Sequence, residues 1–199
     1  MVKPAAASNV VQLADVGLAP APDLKALSVA PASADRLNLR RLRSSMLRRA
    51  VAAWAALTGG DGPFVLGQHG SERDLWCNPA LSDGRSYLVV VDADSPVDEW
   101  PMLRRGTGHR DTYGHPLICG RIGDFPAPSL RPLINRTVVE AVEHRRVLAH
   151  RVVGPGPRGN VAYDVCRFPI VDSSGAIARL LTKSDVYIPL SGLPDQDYR

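Results

Sequence analysis

Three segments near the end of the chain decide its fold: VLAHRVV (147–153), NVAYDVCRFPIV (160–171) and AIARLLTKSDVYI (176–188). Each is rich in apolar and β-branched residues, and the joints between them are Gly154-Pro155-Gly156-Pro157-Arg158-Gly159 and Asp172-Ser173-Ser174-Gly175. Glycine takes positive φ without a steric penalty and aspartate caps its own turn through its side chain, so both joints reverse the chain. The three segments are predicted to form an antiparallel meander. Immediately before them, Ser129 to Arg146 places Leu130, Leu133, Ile134, Thr137, Val138, Ala141 and Val142 at helical spacing, with Glu140, Glu143, Arg145 and Arg146 on the opposite face. Pro132 suits the first turn of that helix, where no intrahelical N–H is lost.

Working outward, SYLVVVDAD (86–94) is a near-continuous β-branched run, the pattern of a strand covered on both faces. Trp100 to Thr107 is predicted to pair with it as a further strand. His109 to Pro128 is broken by proline and glycine into short turns, a composition suited to the wall of a ligand pocket. Asp61 to Arg85 reads as an irregular connection holding one short strand at Phe64 to Gln68. Residues 35–58 are predicted to form a long N-terminal helix with Asp35 as its N-cap and Gly59-Gly60 as its stop. Leu39, Leu42, Met46, Ala50, Ala53, Trp54 and Leu57 mark its apolar face. Residues 1–34, dominated by alanine and proline, read as a flexible tail, 35–190 as one domain, and 191–199 as a C-terminal tail.

A chain of 199 residues with 45% apolar content can bury a full core. The net charge of +4 is a local property, because all but three of the 24 basic residues are arginine and six of those crowd residues 36–49. An arginine face lacking interleaved aromatics or a second helix at helix-turn-helix spacing argues against nucleic acid. No apolar run has the roughly 18 residues of a membrane span, and the start lacks a signal-peptide pattern. Cys77, Cys119 and Cys166 show neither paired nor metal-ligand spacing, so the expected compartment is the cytoplasm.

In order, the chain gives a helix, two strands, a region of short turns, one helix and three antiparallel strands, and that order resembles a PAS domain. The likeness extends to the stand-alone PAS-like proteins of alphaproteobacteria through Trp54 with Gly59-Gly60, Leu103-Arg104-Arg105-Gly106-Thr107, Tyr113-Gly114 through Gly120-Arg121, and the Phe168 to Gly175 turn. The chain departs from that pattern in the length of the 61–85 connection and in Pro116. The resemblance implies an α+β fold with a five-stranded antiparallel sheet, short helices on one face and a cavity. It also implies a sensory or regulatory protein of bacterial signalling that binds a small molecule or a partner protein and forms a homodimer through the N-terminal helix. Two alternatives are an adaptor whose cavity is filled by side chains and an α+β enzyme with an unrecognised site.

No catalytic motif is present: there is no G-x-S-x-G, no P-loop and no HExxH. Arginine forks suit carboxylate or phosphate, which makes Arg104, Arg105 and Arg121 candidate ligand residues together with Tyr113, His115 and Tyr163. Cys166-Arg167-Phe168 is similar to the triplet around the photoactive cysteine of flavin-binding light sensors. Here, however, it falls on a strand rather than on a short helix, so flavin is set aside and Cys166 is read as a buried thiol. Haem through one of His109, His115, His144 or His150 is set aside as well, as is a metal on His109, Asp111 and His115. No cofactor is expected.

Overall fold

The computed structural model describes residues 32–83, 86–105, 120–124, 130–156 and 159–187. Its centre is the predicted meander. β5 (Leu148–Gly156), β6 (Gly159–Val171) and β7 (Ile177–Tyr187) pair antiparallel in sequence order. The second joint is built as its residues dictate: Gly175 has φ 85°, and Asp172 Oδ1 accepts from the Ser174 backbone N–H at 2.8 Å. The first joint is tighter than predicted, because pairing continues to Gly156 opposite Gly159 and takes Gly154 to Gly156 into the strand.

β3 (Ser86–Val90) lies between β7 and β4 (Met102–Arg105), antiparallel to both. Among the described residues the sheet has seven strands rather than the expected five. Its main path runs β1-β5-β6-β7-β3-β4, and β2 (Phe64–Val65) runs parallel to β6. β2 occupies the stretch of β6 beyond the end of β5, pairing Phe64 with Ile170 and Val65 with Val171.

The other added strand corrects the long N-terminal helix. β1 (Ser33–Leu37) pairs antiparallel with β5, Ser33 opposite Val153 and Leu37 opposite Ala149. A 3-10 turn at Leu39–Arg41 follows, with Asn38 Oδ1 accepting from the Arg40 N–H at 2.9 Å. Helix α1 begins only at Ser45 and runs to Thr58, capped by Ser44 Oγ on the Leu47 N–H (3.1 Å) and by Gly59 in the left-handed region. A strand wins over the predicted first turns because the edge of β5 offers unpaired backbone groups to satisfy. A continuous helix would also set Arg36 beside Arg40 at i,i+4, which repels. The 61–85 connection holds two short helices, α2 (Glu72–Cys77) and α3 (Pro79–Ser82).

The sheet is covered on both faces. On one, α1, α2 and α3 enclose Leu47, Trp54, Phe64, Leu75, Leu81, Cys166, Phe168 and Leu181. Trp54 is completely buried, its ring centroid 5.0 Å from Phe168 and 5.9 Å from Phe64, and its indole N–H donates to Gly62 O at 2.9 Å. On the other face, α4 (Arg131–His144) covers Val89, Leu148, Val152, Tyr163, Val165 and Leu180. Each large apolar side chain so buried contributes about 1.5–3 kcal/mol. The apolar face of α1 therefore packs on the chain's own sheet, and its six neighbouring arginines from Arg36 to Arg49 are exposed.

Candidate functional site

Side chains alternate across a strand, so β6 sends Tyr163, Val165 and Arg167 toward α4 and Asp164, Cys166 and Phe168 toward α1. The two faces treat their charges differently. On the α1 side, buried Asp164 accepts from Arg151 Nε (2.9 Å) and Nη2 (3.1 Å), and Lys183 Nζ lies 2.7 Å from Asp83 Oδ2. Burial pulls the Lys183 pKa down, and Asp83 opposes it. Each buried charge there has an opposite charge in contact.

On the α4 side, Arg167 is 1% exposed, and neither Nε nor Nη1 has a hydrogen-bond partner. Its cross-strand neighbours are Leu148 on β5 and Thr182 on β7, and Tyr87 on β3 stands beyond Thr182 in the same row. Thr182 Oγ1 and Ser184 Oγ, both buried, are likewise without partners. His150, on the same face of β5, meets Glu140 of α4 with Nε2 to Oε2 at 2.8 Å, and its Nδ1 has no partner. A carboxylate only accepts, so Nε2 carries the proton and Nδ1 of neutral His150 is an acceptor.

Glu140 is already engaged by His150 and, at 3.7 Å, by Arg136 Nε. Burial lowers the Arg167 pKa, opposed by Tyr87, Tyr163, Cys166 and Glu140. Burial also lowers the His150 pKa, the Arg167 charge adds to that, Glu140 acts in opposition and Arg36 lowers it further. Arg36 and Arg136 are exposed at the rim of this layer and Glu140 is held by His150, so among the described residues the buried charge here without an opposite charge in contact is Arg167.

Of the residues predicted from sequence, Tyr163 is buried in this layer. Arg121 is exposed, its backbone bridging Pro101 and its N–H bonded to Asp124 Oδ2 at 3.0 Å. Arg104 and Arg105 lie on β4 opposite Leu88 and Tyr87, with side chains outside the described part. Tyr113, His115, His109, Asp111 and Cys119 also lie outside it. Sequence reasoning missed Arg167, His150 and Thr182 as a group. The period-two alternation of β6, with Arg167 in phase with Tyr163 and Val165, was the available signal.

A second feature is an open cleft of about 470 Å³ where β1 meets the start of β5, with Arg36, Arg40, Arg146 and Asp61 among its lining residues. It lacks buried unpartnered groups. Among the described residues no cluster of His, Cys, Asp and Glu is arranged to hold a metal, and no helix is long and apolar enough to cross a membrane.

Cys166 is fully buried on the α1 side, and burial pushes its thiol up to about 12. It does not face the α4 layer, so an adduct between Cys166 and a flavin held there does not fit. The Arg167 guanidinium, by contrast, suits any anionic substituent that reaches it.

No family model and no curated protein matches the chain. Similar solved structures include a light-oxygen-voltage domain from work on a flavin analogue, at 12% identity and TM-score 0.36, covering 52% of this chain and 78% of that one. An RNA-binding light-oxygen-voltage receptor is similar at 13% identity and TM-score 0.37, covering 53% of this chain and 30% of that one. The expectation of no cofactor is corrected accordingly: with flavin named for a similar structure, the misplacement of Cys166 is no ground for dismissing it.

Proposed function

We propose that the chain is a ligand-binding regulatory domain in which a small molecule lies between the sheet and α4. The supporting observation is the set of buried atoms there without protein partners: Arg167 Nε and Nη1, His150 Nδ1, Thr182 Oγ1 and Ser184 Oγ. Leaving a buried polar group unmatched costs about 1–3 kcal/mol, more if charged, and four side chains gathered under one helix concentrate that cost where a ligand relieves it. Binding is favoured over catalysis because, among the described residues of this layer, no nucleophile meets a base. Val165 stands between His150 and Ser184 in the register, and neither hydroxyl nor imidazole Nδ1 has a partner. A filled adaptor core is disfavoured by the same orphaned atoms.

Occupancy would be read through α4, which touches the ligand layer through Glu140 and β1 through Arg136 Nη2 on Ala34 O. A homodimer through α1 belongs to this reading and would use the exposed arginine-bearing face, passing the signal to a partner protein in a bacterial cytoplasm. The test is native mass spectrometry of the full chain purified without denaturation, beside the same protein unfolded and refolded. A one-to-one adduct in the first sample only is the expected result, and an absorbance spectrum of that sample identifies flavin or haem. Identical bare masses, with no melting shift in a small-molecule cell extract, would refute ligand binding. Sedimentation at both stages checks the dimer, which a monomer throughout would refute.

A further inference from the structure

We infer that the molecule bound in this layer carries a single carboxylate on an apolar body, and that Arg167 is the residue that selects it. The inference rests on the ligand-binding reading above and adds the chemistry of the ligand. Each buried charge on the α1 face has its counter-charge in contact, Asp164 with Arg151 and Lys183 with Asp83. Among the described residues Arg167 is the one of these three buried charges without one, although it is 1% exposed. Glu140, the carboxylate of the facing helix, is already held by His150. A guanidinium so placed calls for an anion brought from outside the fold.

The charge and lining of the layer narrow the class. A single buried guanidinium without a counter-charge matches a monoanion, whereas a phosphate monoester would bring close to two negative charges against the one buried cation left unpaired here among the described residues. The remaining polar groups, Thr182 and Ser184, supply two hydroxyls in reach of the same sheet face. Around them the surface is apolar, with Val89, Val165, Leu180, Ile134 and Val138 all buried. A carboxylate accepting from Arg167, with its hydrocarbon part against those side chains, satisfies the donors and keeps the apolar contacts dry.

The test uses the full chain, stripped by unfolding and refolding and checked for native circular dichroism. It is titrated calorimetrically with straight-chain and aromatic monocarboxylates of two to ten carbons, each beside its own neutral amide, and with inorganic phosphate. At least one acid is expected to saturate at one per chain and to bind at least tenfold tighter than its amide, with phosphate inert. Arg167→Met should lose at least tenfold in affinity for that acid and less than threefold for the amide, and Arg167→Lys should fall between. If an amide binds as well as its acid, or if both Arg167 variants keep wild-type affinity for the acid, the carboxylate assignment fails while the ligand layer stands. If phosphate displaces the acid, the monoanion argument fails. If no acid and no amide binds the refolded protein, and no adduct accompanied the native protein, both readings fail together.

Discussion

Replacing Arg167 with methionine should stabilise the ligand-free protein, the reverse of what a substitution at a fully buried position usually does. Methionine matches the length of the arginine stem, so the packing change costs less than about 1.5 kcal/mol. Against that stands the relief of two buried nitrogens, Nε and Nη1, whose N–H groups have no acceptor, at about 1–3 kcal/mol per nitrogen. Even a buried ion pair exchanged for apolar residues of similar volume is often neutral or gains about 1–4 kcal/mol, and Arg167 has no ion partner in contact to lose. The expected net gain is about 1–3 kcal/mol, or roughly 2–10 °C in melting temperature for a chain of this size. Urea unfolding followed by tryptophan fluorescence measures it on refolded, ligand-free samples. Arg151→Met is the control of opposite sign: it leaves Asp164 buried without its bidentate partner and should lose about 2–4 kcal/mol, since Arg151 is itself partly exposed. A loss of more than about 1 kcal/mol in ligand-free Arg167→Met would refute the reasoning, because it would mean the guanidinium is already satisfied inside the fold.

Gly154 admits no side chain: a Cβ there would stand 2.3 Å from Leu130 Cδ2, so Gly154→Ala should cost about 1–3 kcal/mol, with Leu130→Ala in the same protein less damaging than the two losses summed. His150 is held below its ordinary pKa by burial and by Arg167, with Arg36 adding and Glu140 opposing. The unfolded chain therefore binds the extra proton first as pH drops, and this stability is full above about pH 6.5 and lost toward the folded pKa, at no more than about 1.4 kcal/mol per pH unit. Urea midpoints at pH 7.5 and 5.5 should converge in His150→Gln, and an unchanged difference would count against it. In a Cys77→Ser, Cys119→Ser protein the remaining thiol, Cys166, should react with a disulfide reagent only as fast as the protein unfolds, whereas rapid native labelling would contradict its burial.

The meander and α4 were legible because their signals are local. Asp172 to Gly175 dictates its turn, and Leu130 to Val142 repeats at helical spacing, so structure and expectation differ there by three residues at most. The first turns of the predicted N-terminal helix were not legible. Leu39, Leu42 and Met46 have helical spacing, yet what decides Ser33 to Leu37 is an edge of β5 more than a hundred residues away in sequence. The short strand expected at Phe64 to Gln68 is present as β2, but its parallel place beside β6 was not legible, because that too is set by a strand far away in sequence. The candidate layer was legible in composition only: arginine and tyrosine were expected at a ligand site, and Tyr163 is buried in this layer. Arg167 was passed over because its neighbour Cys166 invited a comparison with photoactive thiols. Strand alternation puts the two on opposite faces, and which face holds unpaired polar atoms depends on Arg151, Asp83 and Glu140, which only the fold brings near.

The pairing of β1 with β5 also bears on how the molecule assembles in time. Ser33 meets Val153 across roughly 120 positions of chain, while β5, β6 and β7 pair with their immediate neighbours in sequence. Closing so long a loop is rewarded only once its docking edge exists, so β1 settles last during folding and is among the first segments to lift away. Amide exchange at residues 33–37 should then run ahead of the meander. Each time β1 lifts it bares the backbone of β5, an edge equally able to receive the β1 of another copy. The rate of that opening sets how fast two chains can trade strands.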